Sequence, residues 1–214
     1  MVQKGHKIAA VFGGESIATA AKVLQVIDIL ASNSEIKVVI VSAPGSRWEN
    51  DGQTTDHLQR WYEAAQRGES TDCQPRVFSQ RFTAIASHHF NSWSYKQYEN
   101  ELNKELRSLA KAFYEKGLQA CSLDYVLSRG EYFMGKLLAK ILGWEFVDVA
   151  DLVCLDENGV IDMNGSCLNI RETLIVGHKY IVPDQNNIAR LIAKAMDCQI
   201  QDWGAVLPTV TYPD

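Results

Sequence analysis

The sequence predicts a single α/β domain built on a mainly parallel central sheet. Two short apolar runs, Lys7–Phe12 and Lys37–Val41, flank a stretch with helical periodicity, Ile17–Leu30. That order is one βαβ unit. Further short apolar runs then alternate with amphipathic stretches, the pattern of strands separated by crossover helices. The 214 residues, 46% of them hydrophobic, suffice for one compact core, and no repeat, low-complexity tract or linker divides residues 1–214.

Lys7–Phe12 ends at Gly13-Gly14, so it is predicted as a buried strand closing on a tight turn. Val23, Leu24, Ile27 and Leu30 supply the helical spacing of the next element, and Ser16 is positioned to cap it. Lys37–Val41 (KVVIV) is β-branched and apolar, as a parallel strand buried on both faces must be. A polar loop over Ser42–Gly52 leads to helices predicted at Thr55–Arg67, Pro75–Ser87 and Ser94–Lys116, whose apolar faces carry Trp61, Phe82 and Leu106. Residues 125–142 are predicted as a strong amphipathic helix, with Phe133, Leu137, Leu138, Ile141 and Leu142 on one stripe and Gly143 as its stop. Trp144–Val147, Leu152–Leu155 and Lys179–Val182 are predicted strands, the last stopped by Pro183. Asp156-Glu157-Asn158-Gly159 signals a hairpin turn. Ile188, Leu191, Ile192, Ala195 and Met196 mark a final helix.

The net charge of −5 gives no basic field for nucleic acid or anionic membrane. No apolar run approaches the roughly 20 residues of a transmembrane helix. The N-terminal apolar run is too short for a signal-peptide core, so a cytoplasmic setting is expected. Five cysteines (Cys73, Cys121, Cys154, Cys167, Cys198) form no C-x-x-C pair, and reduced thiols are expected. His88 and His89 are adjacent on a predicted helix and point about 100° apart, which does not make a metal site. No metal site is expected.

Three segments could carry chemistry, and each has a purely structural reading beside the functional one. Phe12-Gly13-Gly14 would let backbone N–H groups approach a phosphate, or is simply a βα turn. Ser42-Ala43-Pro44-Gly45 with Thr54-Thr55-Asp56 would line a ligand crevice at the end of a strand, or is a loop followed by a helix cap at Thr54 or Thr55. Ser128-Arg129-Gly130-Glu131 would offer a carboxylate to a ligand ammonium group, or places a glutamate in a first turn where the helix dipole favours it.

Their order is more specific than any one of them. The series Lys7-x-x-x-Val11-Phe12-Gly13-Gly14-x-Ser16, Val38-Val39-x-Val41-Ser42-Ala43-Pro44-Gly45-x-Arg47, Thr54-Thr55-Asp56-x-Leu58, Ser128-Arg129-Gly130-Glu131-Tyr132 and Phe146-Val147-Asp148-x-Ala150-Asp151 resembles the aspartokinases over residues 7–156. Leu191–Met196 and Trp203 resemble the helix and tryptophan of that family's nucleotide half. The resemblance implies a three-layer α/β/α sandwich of amino-acid-kinase type. It also implies transfer of the γ-phosphoryl of Mg-ATP to the side chain of L-aspartate, giving 4-phospho-L-aspartate.

The phosphate side departs from the family pattern. Val11 stands where the family has a lysine, and Lys7, four residues back, is about 13 Å away along a strand. Glu15 replaces a Thr or Ser and would repel ATP. The family's phosphate-binding loop is missing near 183–186, and Asn186 falls on its aspartate. The family's Trp-Thr-Asp-Val reads Trp203-Gly204-Ala205-Val206, and a single domain without the family's C-terminal regulatory domains is expected. Gly13, Gly14 and Ser16 are then a remnant of the phosphate turn, while Ser42, Thr55, Arg129 and Glu131 occupy the amino-acid side. The expectation is an aspartokinase-like protein, catalytically impaired, that binds a small amino acid such as aspartate, with a homo-oligomer or protein partner as a further option. Two alternatives stand beside it. One is an active aspartokinase using Mg-ATP whose missing groups lie in an omitted segment or partner chain. The other is an interaction scaffold without ligand.

Overall fold

The computed structural model describes residues 8–69, 74–115, 121–175, 177–185 and 187–203. Five strands form one sheet: β1 (Ile8–Phe12), β2 (Ile36–Val41), β3 (Glu145–Phe146), β6 (Tyr180–Pro183) and β7 (Gln199–Asp202), in the order β3-β6-β2-β1-β7. Every pairing in it is parallel. A separate antiparallel hairpin pairs β4 (Cys154–Leu155) with β5 (Ile161–Asp162).

Alternate residues of the strands face two apolar cores. Ala10, Phe12, Val39, Val41 and Ile181 join the core under α1 (Ala20–Ser32), α2 (Thr54–Gln66), α3 (Gln74–His89), α4 (Ser92–Glu115) and α6 (Arg129–Leu142). Ala9, Val38, Ile40, Tyr180 and Val182 join the core under α7 (Met163–Thr173) and α8 (Ile188–Met196). The result is the expected α/β/α sandwich with a parallel centre.

Several boundaries differ from the sequence expectation, each for a local reason. The first helix does not start at Ile17, and Ser16 does not cap it. Gly14–Ile17 is a 3-10 turn, and Thr19 caps α1 by accepting a hydrogen bond from the Lys22 amide at 3.3 Å. Ser16 is buried and its Oγ donates to the Trp203 carbonyl at 2.7 Å. The cap of α2 is Gln53, whose amide donates to Asp56 Oδ2 at 2.9 Å, and neither Thr54 nor Thr55 fills that place. The helix expected over 125–142 is two elements, a five-residue α5 (Leu123–Leu127) and α6, joined at Ser128. Gly143 does end α6, in a left-handed conformation at φ 66°. Of the strand expected at Leu152–Leu155, only the last two residues pair. The turn after them is as read: Asp156 Oδ1 accepts from the Asn158 and Val160 amides, and Gly159 takes φ 76°.

Two elements have no apolar signature. The buried side of α7 is Ser166, Cys167 and Ile170, too small and polar to show a stripe. Strand β7 reads Gln-Ile-Gln-Asp and is a strand because it pairs with β1. Trp203 follows β7, donates its amide to the Val11 carbonyl at 2.8 Å and stacks on Phe12 with ring centroids 6.4 Å apart.

The loop after β2 is held from below by Arg81, which is 1% exposed. Its guanidinium donates to the carbonyls of Gly45 (3.0 Å) and Gly52 (2.8 Å) and pairs with Asp51 at 2.8 Å. Arg47 grips the same carboxylate at 2.7 Å. Hydrogen bonds from Arg47, with the charge of Arg81 adding to them, overcome desolvation and hold Asp51 at a pKa of about 2. Because this lies below the unfolded value, the stabilisation is complete above about pH 4 and is lost as the pH falls through about 2. Arg81→Met should therefore cost about 3 kcal/mol in urea unfolding at pH 7, since it leaves the Gly45 and Gly52 carbonyls without their buried donor and Asp51 with Arg47 alone. Asp51→Asn should flatten the acid limb of stability against pH. A change below 1 kcal/mol for Arg81→Met would contradict the role given to this pair.

Candidate functional site

In an open parallel sheet, ligands bind beyond the carboxyl ends of the strands. Here four segments meet at that edge: Gly13–Glu15 after β1, Ser42–Gly45 after β2, Asp184-Gln185 after β6, and Ser128–Glu131 at the start of α6. Asp202 ends β7 on the same side.

The segments approach so closely that side chains are excluded. A Cβ on Gly14 would lie 2.6 Å from the Ala43 carbonyl oxygen, and one on Gly45 3.0 Å from the Gly14 carbonyl carbon. The two loops are joined by a hydrogen bond from the Gly45 amide to the Gly14 carbonyl at 2.9 Å. A Cβ on Gly130 would lie 2.7 Å from the Ala43 Cβ. Gly14 thus has a packing requirement of its own. Gly13 sits at φ −69° and ψ 165°, which any residue can adopt.

The loops are tied by polar groups as well. Thr54 is buried, and its Oγ1 donates to the Pro44 carbonyl at 2.5 Å. Ser42 Oγ donates to Asp184 Oδ2 at 3.1 Å, and the Asp184 amide donates to the Val41 carbonyl at 2.8 Å. Gln185 Nε2 donates to the Ser128 carbonyl at 2.8 Å, joining the β6 end to the start of α6. Thr55 is half-buried beside Thr54 in the first turn of α2.

Glu131 is the least compensated group at this edge. Its Oε2 is buried and has no hydrogen-bond partner among the described residues. Burial pushes its pKa up to about 7, and the charge of Asp184 adds to the rise. Hydrogen bonds from its own amide and that of Ala43, and the charge of Arg129, oppose it. Burial also raises Asp184, helped by Asp202 and opposed by Ser42. The edge is therefore rich in carboxylates. In the turn after β1, Glu15 pairs with Lys22 at 3.6 Å, and both side chains are well exposed.

The structure thus brings Gly14, Ser42 and Glu131 together and adds Asp184, which sequence reasoning passed over. The signal for it was present, since a carboxylate directly after a buried strand and its stopping proline sits at a strand's carboxyl end. Arg129 is directed elsewhere. It makes no ion pair with Glu131, and its guanidinium lies 4.4 Å from the ring centres of both Tyr125 and Tyr132. Val11 is half-buried against the core under α7 and α8. Lys7, Asn186 and Gly204–Val206 lie outside the described residues. Among the described residues, no three His, Cys, Asp or Glu side chains cluster so as to hold a metal ion.

Comparison with solved structures places this architecture. The chain superposes on the aspartate kinase of Clostridium acetobutylicum, described as an allosteric enzyme, with TM-score 0.73 and 24% identity over 92% of this chain. It superposes on Escherichia coli aspartokinase III with aspartate and ADP (R-state) with TM-score 0.75, and on the same enzyme with lysine and aspartate (T-state) with TM-score 0.71, at 18% identity in both. The fold is that of the aspartokinases, an amino-acid-kinase fold. The chain spans 47–49% of the length of these neighbours. No protein-family model matches the sequence, and no curated protein matches it significantly.

Two outcomes follow from the geometry. Gly14→Ala should cost about 1–3 kcal/mol by thermal or urea unfolding, because the new methyl meets backbone atoms that cannot turn away. Glu131→Gln should be nearly neutral in stability at pH 4. At pH 8 it should stabilise the fold by about 1–3 kcal/mol, because a carboxyl whose folded pKa is raised loses stability as the pH climbs toward about 7. Unfolding at both pH values, with equal effects of Glu131→Gln, would show that this carboxyl is not desolvated.

Proposed function

We propose that this chain is an aspartokinase-like protein that holds the ammonium group of a small amino acid at the strand ends and is impaired in phosphoryl transfer. The observation that carries the reading is the buried, unpartnered Oε2 of Glu131 beside Gly130. A buried acceptor without a donor is costly, and a ligand N–H would satisfy it. Asp184, held by Ser42, supplies a second negative charge on the same side. The neighbouring folds captured with aspartate support an amino acid as the ligand class, with aspartate as the member the family reaction would use.

The impairment rests on charge. Phosphoryl transfer needs cations around the phosphates. The lysine position carries Val11, the turn carries Glu15, and Asn186 stands at the family's aspartate position. Mg-ATP would be the phosphoryl donor if the chain retains activity. Among the described residues, no helix is long and apolar enough to cross a membrane.

A second reading is favoured by the extent of the match. Because the chain spans about half of each neighbour, it would be a fragment of an active aspartokinase whose missing residues lie in an omitted segment or a partner chain. Hydroxylamine trapping of an acyl phosphate from aspartate and Mg-ATP tests the impairment of this chain: product formed by the chain alone would overturn it. No trapped product is expected, either from this chain or from Val11→Lys with Glu15→Thr. Mg-ATP should bind more weakly than about 10 μM, or about −7 kcal/mol.

Calorimetry with aspartate tests the amino-acid site. Affinity should rise between pH 6 and pH 8, as Glu131 ionises and can hold an ammonium group. Glu131→Gln should remove both the affinity and its pH dependence. Absence of any aspartate heat or melting shift at pH 8 would defeat the proposal.

A further inference from the structure

A second cleft lies on the outer face of the helical layer, between α4 and the α5–α6 junction. Its volume is about 190 Å3, and Glu105, Ser108, Leu109, Ala112, Tyr125, Arg129, Tyr132 and Phe133 line it. Leu109, Ala112 and Phe133 give it an apolar floor, and Arg129 is the cation in its wall.

The state of Arg129 is unusual for a cation with no carboxylate partner. Its Nε donates to the Tyr125 carbonyl and to Ser128 Oγ, both at 3.3 Å, and Nη2 donates to Ser128 Oγ at 3.0 Å. All of these acceptors are neutral. A guanidinium carries five N–H groups in a rigid plane, so three donors, including both on Nη1, have no partner among the described residues. The Tyr125 and Tyr132 rings, each 4.4 Å away, fix the plane of the guanidinium. The one acid in the cleft wall is already neutralised, since Glu105 pairs with Lys136, which also lies 5.2 Å over the Tyr132 ring.

A fixed planar cation with unused donors above an apolar floor is pre-organised for an anion with a flat head and an apolar body. We propose that this cleft binds a small monocarboxylate, with the carboxylate on the Nη edge of Arg129 and the hydrocarbon part against Leu109, Ala112 and Phe133. The cleft is smaller than the roughly 300–1,000 Å3 of drug-sized sites, which limits the ligand to about the size of a single amino acid or aromatic acid. A phosphate would leave the apolar floor unused. The proposal does not depend on the strand-end site, because Glu131 takes no part in it.

Benzoate and butyrate are the probes, with n-butylamine as the cation control, followed by ligand-observed NMR and melting shift on the full chain. Both carboxylates should bind saturably with dissociation constants in the millimolar range, and butylamine should not. Arg129→Gln should weaken benzoate at least about tenfold through loss of a charge-assisted contact. Arg129 also props the α5–α6 junction, so Ala112→Trp is the second variant. It fills the cleft without touching the guanidinium and should abolish binding. Glu131→Gln should leave benzoate binding unchanged, which keeps this site distinct from the aspartate site. No benzoate binding to the wild type at about 10 mM, or binding that survives Ala112→Trp, would overturn the proposal.

Discussion

The strand-end site depends on one steric constraint, the contact of three backbone segments around Ala43. Gly14 and Gly130 lack the Cβ that would collide with Ala43, and Gly45 lacks the one that would meet Gly14 and Glu15. Because they do, the start of α6 reaches the loop after β2, and Glu131 is carried into a place that water reaches poorly. Its raised pKa is a consequence of that approach rather than of any one charged neighbour, since desolvation is the largest cause. A bulkier residue at any of the three positions would open the edge, hydrate the carboxyl and remove the feature that invites a ligand.

Arg81 completes the same arrangement from the opposite side of the loop. A buried arginine that donates to the Gly45 and Gly52 carbonyls satisfies groups that a loop would otherwise turn to solvent. Asp51 compensates its charge and is itself held by Arg47. Loop conformation, and with it the position of Ser42, is therefore anchored in the helical layer through α3. This is a polar device inside an otherwise apolar layer, and its net value lies in fixing geometry more than in raw stability.

Charge is unevenly spread over the strand ends. Glu131 and Asp184 are both desolvated there, and burial raises the pKa of each. The turn after β1 carries Glu15, which is exposed and paired with Lys22. Arg129, which the motif order places beside Glu131, is turned outward by its stacking on two tyrosines. Arg129 and Glu131, two positions apart on α6, thus serve two different surfaces, as a helical rotation of about 200° over two residues requires.

The apolar runs and their punctuation determined the fold. KVVIV, the 125–142 stripe, the Asp156–Gly159 turn and the final helix all form near where the pattern places them, because burial and period fix them locally. Helix starts were less legible, since capping depends on which polar group finds a free amide, and Thr19 and Gln53 found them in place of Ser16 and Thr54. Glycine spacing marked the site, and the carboxylate of Glu131 was legible within it. Strand β7 and helix α7 were decided only by tertiary structure, because their polar sequences become regular through pairing with β1 and docking under the sheet. The burial of Arg81 and the place of Asp184 at the site were decided there too. Arg81 and Asp184 rest on contacts between segments 30 and 142 residues apart, which no local pattern encodes, whereas Arg129 is held by Tyr125 and Tyr132 at the i−4 and i+3 spacing that a sequence does display.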